Sequence, residues 1–548
     1  MKRIVILLFC LSCLTLSLFS QQDSIRNVIL MIPDGTSTSV LSMARWYKAA
    51  MTNRPDATLA LDPYLCGLVK TFSSDAPIGD SAPTTSCYMT GMPSQASCNS
   101  MYPLQTDHDL VPVDATKAYQ PLMTAFEAAR LLHNKSIGMV ATSYTTDATP
   151  ADCMAHYYNR NNREILTKQF VHNGVEVLLG GGNKEAKAYE QKLKEEGYHV
   201  VFDDLQDFRS NESSKLWAIF GANEMPYNLD RDTARVPSLA EMTEMAIRCL
   251  SKNPNGFALM VEGSKVDWAA HDNDAKTIID EFLEFDKAVE LALNFAKKDG
   301  HTVVIIVPDH GNSAMSMGNE RSSKNYKHLT LDDLVGPLLH YSITAEKMGD
   351  LLSEADENEM MPLFKKHFDF ELSDEDLKMI LDVKANTEGN AHYKTVDNLT
   401  KVVTRILYAN TYIGFTTHGH TGEDVFLAVY HPYNQIPTGL QTNMQINDYL
   451  CKQLGVVGQL PVLTEDCFAK HQEVFAGYDC QIEKMDPDNK KGSNARLTVK
   501  NKKQKMEMES FTNYVWVNGE KIMLPTPIIY VDKNETFYLP KNLSEYIK

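Results

Sequence analysis

Val28-Ile29-Leu30-Met31-Ile32-Pro33-Asp34 is a short apolar run that ends in a carboxylate, and its form decides the fold class. Two later stretches share that form: Phe257-Ala258-Leu259-Met260-Val261-Glu262 and Val303-Val304-Ile305-Ile306-Val307-Pro308-Asp309-His310. Strands of a parallel sheet are buried on both faces and read as unbroken apolar runs, and open α/β sheets gather their chemistry at the carboxyl ends of those strands. Three such strands deliver Asp34, Glu262 and Asp309-His310 to one edge, which predicts a multi-metal site there. Ser136 to Val140, Val175 to Leu179 and Val200 to Phe202 read as further strands, with helical periodicity between them. The predicted fold is α/β, with a large, mostly parallel central sheet flanked by helices on both faces.

Downstream of Glu262 comes Asp267-Trp268-Ala269-Ala270-His271. The i, i+4 spacing puts Asp267 and His271 on one helical face, where both can hold one cation. Taken alone, such a pair is more often a helix-surface contact; between Glu262 and Asp309-His310 it reads as ligation. Gly79-Asp80-Ser81-Ala82-Pro83-Thr84-Thr85 carries the candidate nucleophile. A serine hydroxyl is a poor nucleophile until a base or metal removes its proton, and Ser81 at the start of a helix would aim amide N–H groups at an anion. The bland alternative is that Asp80-Ser81 is an ordinary helix N-cap. Gly180-Gly181-Gly182 lacks the Lys-Ser or Lys-Thr of a phosphate-cradling loop, so it is assigned to a tight strand exit.

The chain has 548 residues and a net charge of -18, which excludes the basic footprint of a nucleic-acid grip. Lys490-Lys491 and the run from Lys500 to Lys505 read as solvated turns. Met1-Lys2-Arg3, the apolar stretch Ile4 to Phe19 and the polar start after Ser20 form a signal peptide over 1–20, so the chain is expected to be exported, periplasmic or secreted. Cys13 as a lipidation site is the minor alternative, because Cys10 stands where a lipobox wants an aliphatic residue. No later segment is long and apolar enough to span a bilayer. Export permits disulfides, and Cys451, Cys467 and Cys480 are the nearest set in sequence; free buried thiols are the competing account. A catalytic domain over 21–455 is expected to carry a helical insertion at about 312–410. The extension over 456–548 ends in a small β unit in which Asn518-Gly519 marks a hairpin turn.

Taken together, Pro-Asp-Gly at Asp34, Asp-Ser-Ala at Ser81, Asp-Ala-Thr-Pro at Asp147, Val-Glu-Gly followed by Asp-x-x-x-His, Asp-His at Asp309 and His-Thr-Gly at His420 resemble the alkaline phosphatase family in order and spacing. The resemblance runs from about Asn27 to Leu454. It implies a hydrolase of small phosphate monoesters that uses two zinc ions, one magnesium and a phosphoserine intermediate on Ser81. It further implies that Asp267, His271 and His420 hold one zinc, that Asp34, Asp309 and His310 hold the other with Ser81, and that Asp34, Thr149 and Glu262 hold magnesium with Asp147 acting through water. Arg160 would clamp two phosphate oxygens through its planar fork. A homodimer is implied by the resemblance alone.

Several alternatives stay open on sequence. Arg163 competes with Arg160, Thr84 and Thr85 with Ser81, and Asp152 and His156 are candidates for a supporting role. Trp268 departs from the pattern, since many bacterial relatives carry lysine and animal ones histidine at that place, and an indole supplies no charge. A phosphodiesterase or sulfatase of the same superfamily is the nearest rival. Ser81-Ala82-Pro83-Thr84-Thr85 lacks the arginine a sulfatase needs, and a diesterase usually lacks the magnesium ligands. A non-catalytic metal- or phosphate-binding protein is the rival from another class.

Overall fold

The computed structural model describes residues 25–387, 389–486 and 494–547. The signal peptide at 1–20 and Lys490-Lys491 lie outside the described residues. A ten-stranded sheet forms the centre. Its strands are β1 (Asn27–Pro33), β2 (Leu65–Lys70), β3 (Ser136–Tyr144), β4 (Val177–Gly181), β5 (His199–Phe202), β6 (Leu216–Ile219), β7 (Phe257–Gly263), β8 (Thr302–Ile306), β9 (Val425–Tyr430) and β10 (Gly439–Thr442). They lie in the order β10-β2-β9-β8-β1-β7-β3-β4-β6-β5. Only β9 runs against its neighbours; the other pairings are parallel.

The unbroken apolar runs follow from burial on both sides. Val28, Leu30 and Ile32 of β1 face one core, and Ile29 and Met31 face the other. The first core is closed by α2 (Ala125–His133) and α6 (Asn443–Leu454), the second by the long α5 (Ala275–Asp299). In the register, Ile32 stands beside Glu262 and Met31 beside Ile306, so Asp34, Glu262 and Asp309 leave the sheet at one level.

The two additions cover opposite faces. The helices Ala345–Glu354, Glu357–Phe368, Asp374–Asn386 and His392–Ala409 place Met348, Phe364 and Leu399 in the core shared with α5. The C-terminal extension joins the other core through Leu497, Met508, Phe511 and Tyr530. It forms a five-stranded antiparallel sheet over Asp479–Lys484, Ala495–Lys500, Lys505–Glu509, Tyr514–Val517 and Glu520–Met523, beside a three-stranded one. Asn518 (φ 51) and Gly519 (φ 90) turn its last hairpin with two left-handed residues, as the Asn-Gly pair requires. Arg130 Nη2 donates to Pro525 O at 2.6 Å and Tyr158 to Asp532 at 2.6 Å, tying the extension to the helix before β3 and to the segment that leads to Arg160.

Cys451, Cys467 and Cys480 do not form the local bridge that their spacing allows. Each is a free thiol, as are Cys66, Cys87, Cys98, Cys153 and Cys249. Cys451 sits on α6 against the first core, and its thiol donates to Asn447 Oδ1 of the preceding turn. Gly180-Gly181-Gly182 is a tight strand exit: a Cβ on Gly181 would meet the backbone of Glu224 and Met225 at 2.7 Å.

Candidate metal centre

Every site residue read from the sequence lies at the carboxyl edge of the sheet or on the loop before β9. Asp34 follows β1, Glu262 ends β7, Asp309-His310 follows β8, and Thr149 opens α3 (Ala148–Met154) after β3. Ser81 begins α1 (Ser81–Thr90), and Asp267 and His271 share α4 (Lys265–His271). Because β9 runs in reverse, His420 reaches this edge before its strand rather than after it.

The imidazoles are oriented from behind. His271 donates from Nδ1 to His418 O at 2.7 Å, His310 to Gly311 O at 3.1 Å and His420 to Gly79 O at 2.9 Å. A proton held at Nδ1 leaves each Nε2 lone pair facing the cluster, which is how metal-ligating histidines are prepared. His271 Nε2 stands 3.2 Å from His420 Nε2 and 3.4 Å from Asp267 Oδ2, and His420 Nε2 is 3.7 Å from Asp267 Oδ1. His310 Nε2 lies 3.3 Å from Asp309 Oδ2, 3.6 Å from Asp34 Oδ1 and 3.2 Å from Ser81 Oγ. Asp267, His310 and His420 therefore converge, as do Asp34, Asp309 and His310, and the two groups share His310. A serine–histidine–aspartate triad needs its carboxylate on Nδ1. Here the carboxylates and Ser81 crowd the same Nε2, the arrangement of ligands around a cation.

Four of the site's oxygens, Asp34 Oδ1, Thr149 Oγ1, Glu262 Oε2 and Asp309 Oδ2, are buried with no hydrogen-bond partner among the described residues; Asp34 and Asp309 belong to the His310 group, and Thr149 and Glu262 lie outside it. Burial, then the charges of Asp309 and Asp267, drive the Asp34 carboxyl far above its ordinary range. Burial and the Asp147 charge push Glu262 up to about 8. Buried carboxylates without donors are expensive unless a cation compensates them, and an all-oxygen set suits a hard ion such as magnesium. The two imidazoles beside Asp267 are shifted in opposite directions: burial works against His271, but the Asp267 hydrogen bond and charge raise it to about 9, whereas burial and the His310 charge lower His420.

Arg160 spans the cleft mouth. Nη1 donates to Asp80 Oδ1 and Nη2 to Asp147 Oδ1, both at 2.9 Å. Two of the guanidinium's five donors are thus used, and Arg160 and Ser81 line the same cleft. Asp80 occupies the N-cap position without capping, because its carboxylate is turned to Arg160 and to Ser97 N. Arg163 also lines the cleft but lies flat on the Tyr144 ring, 3.6 Å from its centroid. Thr84 donates back to Asp80 O within its helix, and of the three hydroxyls it is Ser81 that lines the cleft and lies against His310 Nε2. Asp152 and His156 serve the scaffold: Asp152 Oδ1 accepts from Ser100 N at 2.7 Å, and His156 Nε2 pairs with Glu127 at 3.0 Å.

Three contributors carried no sequence signal strong enough to be found. Asn312 Nδ2 donates to Asp267 Oδ1 at 2.7 Å and fixes that carboxylate. Glu423 accepts from Ser37 at 2.5 Å and packs on Gly311. Lys265 is buried under Trp268, its ammonium 5.0 Å from the indole and bonded to Met225 O. Gly35, by contrast, was visible in the Pro-Asp-Gly motif. Its φ is +58°, and a Cβ there would stand 2.1 Å from Asp267 Oδ1, while its N–H donates to Asp309 Oδ1 at 3.1 Å.

Residues 25–456 match the alkaline phosphatase family model. The chain is 31% identical over 450 residues to alkaline phosphatase 3 of Bacillus subtilis, covering 79% of this chain and 90% of that one. It is 28% identical over 456 residues to an alkaline phosphatase of Schizosaccharomyces pombe, covering 77% and 80%. In fold it is similar to the Thermus thermophilus alkaline phosphatase, with TM-score 0.68 at 23% identity over 80% of this chain and 92% of that one. The cold-active enzyme of a Shewanella species gives 0.67 at 24% identity, over 78% and 99%.

Proposed function

Since the chain belongs to the alkaline phosphatase family and is a phosphomonoesterase, we propose that it hydrolyses small phosphate monoesters through a phosphoseryl intermediate on Ser81, at a centre of two zinc ions and one magnesium. Asp267, His271 and His420 hold one zinc, and Asp34, Asp309 and His310 the other with Ser81. Asp34, Thr149 and Glu262 hold the magnesium, with Asp147 acting through water. The donor types support this division, imidazole nitrogens in one half and oxygens alone in the other. The observation that carries the reading is the convergence of Nε2 atoms anchored at Nδ1 with Ser81 Oγ and unpartnered buried oxygens.

When bound, the cations supply Lewis-acid charge that lowers the Ser81 hydroxyl pKa and offsets charge on the phosphoryl and leaving oxygens. Ser81 Oγ attacks phosphorus in line as the ester O–P bond breaks and the alcohol departs. Arg160 clamps two phosphoryl oxygens with the donors that Asp80 and Asp147 leave unused, and those carboxylates keep its fork in plane. Water then attacks the phosphoseryl phosphorus from the side the alcohol left, which regenerates Ser81 and releases phosphate with configuration retained. Little of the alcohol is gripped, so the substrate range is broad.

In this reading the mature chain is exported, periplasmic or secreted, and acts as a homodimer. The N-terminal composition supports the first point, and no described helix is long and apolar enough to cross a membrane. Residues 21–455 form the catalytic unit, and 456–548 an extension packed against it. The test is hydrolysis of a monoester and a diester by zinc- and magnesium-reconstituted enzyme, with acid quenching to trap phosphoserine, for the wild type and Ser81→Ala. Monoester preference that falls by about 10³-fold or more in the variant, with loss of the trapped species, is expected. Unchanged turnover in Ser81→Ala removes the serine from its role, and diester preference replaces the reaction class.

A further inference from the structure

The amino edge of the sheet, opposite the metal cluster, bears an open cavity of about 510 Å3. Its walls come from the residues just before β1, β3 and β7 and from the ends of β9, α2 and α6. The charged side chains on that lining are Arg26, His133, Lys135, His431 and Lys452, all of the basic type, with the Tyr433 phenol beside them; Arg26 has a counter-ion in Asp299 at 3.9 Å. Two of them have an ordinary explanation. Lys452 and His133 lie in the last turns of α6 and α2, where cations offset the negative end of the helix dipole.

Lys135 and Gln453 are not explained that way. Lys135 is only 7% exposed, and its ammonium donates to the carbonyl oxygens of Arg26 at 2.5 Å and Asn255 at 3.2 Å, both uncharged. No carboxylate among the described residues pairs with it, and burial, then the neighbouring Arg26 cation, bring it down to about 8. Gln453 is 6% exposed. The Tyr433 N–H donates to His431 Nδ1 at 3.0 Å, so the imidazole proton sits on Nε2 and is donated to Gln453 Oε1 at 3.2 Å. That bond fixes the amide and leaves Gln453 Nε2 a buried donor without an acceptor. An unfilled donor and a cation without a carboxylate partner line the same cavity, and a bound oxyanion would satisfy both.

We propose that this cavity binds a small tetrahedral oxyanion of the phosphate class, at a site separate from the metal centre, with Lys135 and Lys452 supplying charge and the Gln453 amide a directed donor. Equilibrium dialysis of the metal-loaded enzyme against radiolabelled inorganic phosphate tests it. Two classes of site are expected in the wild type. The class at the amino edge weakens by about tenfold or more in K135M, K452E and Q453L, the loss of one charged or directed contact each, while monoester turnover is unchanged. Lys452 is exposed, so K452E keeps the test sound even if K135M fails to fold. A single class of site in the wild type, or a second class that K452E and Q453L both leave intact, overturns the proposal.

Discussion

Glu127 and Glu262 are glutamates of equal burial, 0% and 1% exposed, and the fold treats them in opposite ways. Glu127 accepts from Thr124 N at 3.0 Å in a capping box, from Asn173 Nδ2 at 2.7 Å and from His156 Nε2 at 3.0 Å. Against the effect of burial, the His156 charge and hydrogen bond hold its carboxyl below the usual value. Glu262 keeps one oxygen with no partner and is pushed up to about 8. The chain can thus surround a buried carboxylate completely where it needs only structure. Glu262 and Asp34 each keep a buried oxygen without a donor among the described residues, and in the proposed reading a cation supplies the balancing charge.

Chelation should break the contrast most severely. Removal of metal is expected to abolish turnover and to lower the melting temperature, with both restored by zinc plus magnesium; a stripped enzyme that still turns over would mean that the Glu262 shell needs no cation. Next in size is Glu127→Gln, which leaves His156 buried without its charged partner and should cost about 3 kcal/mol of stability in denaturant titration while metal content by elemental analysis stays unchanged. Glu262→Gln should do the reverse. It loses bound magnesium and activity, yet its metal-free form is more stable at pH 8 than the metal-free wild type.

The pH dependence sharpens the same point. Because the folded Glu262 carboxyl sits above its unfolded value, its protonated form contributes stability that is present below about 4.5 and lost as pH rises through about 8, and Asp34, also raised, acts in the same direction. Melting of the metal-free protein should therefore fall from pH 5 to pH 8, and saturating metal should flatten that slope. The smallest effect is expected at Asn312. Asn312→Leu frees the Asp267 carboxylate and should weaken metal binding by about 10–100-fold in a competition assay, without unfolding the chain.

Much of this was legible in the sequence because strand ends announce themselves: an apolar run that stops at Asp34, Glu262 or Asp309 already places its carboxylate at the sheet edge. His420 was legible only as part of a family pattern, since the strand that carries it runs backwards and periodicity does not report direction. Asn312 and Glu423 act through partners 45 and 386 positions away, a relation that local spacing cannot encode. The Asp80 carboxylate looked like a cap and proved to be the anchor of Arg160, because the cap position fixes the backbone and not the side chain. The thiols were misleading for a similar reason, as nearness in sequence between Cys451 and Cys467 says nothing of nearness in space.

The reversed strand has a consequence for how the molecule is made. His420 is held by Gly79 across 341 positions, and Ser81 meets His310 across 229. Contacts of that span form late, after the intervening chain has collapsed and the loop entropy has been overcome. The centre cannot assemble on a nascent fragment and then guide the rest. Its geometry is an end product of folding, so in the proposed reading a truncated or half-folded chain has no grip on metal, and loading reports that the whole sheet has closed.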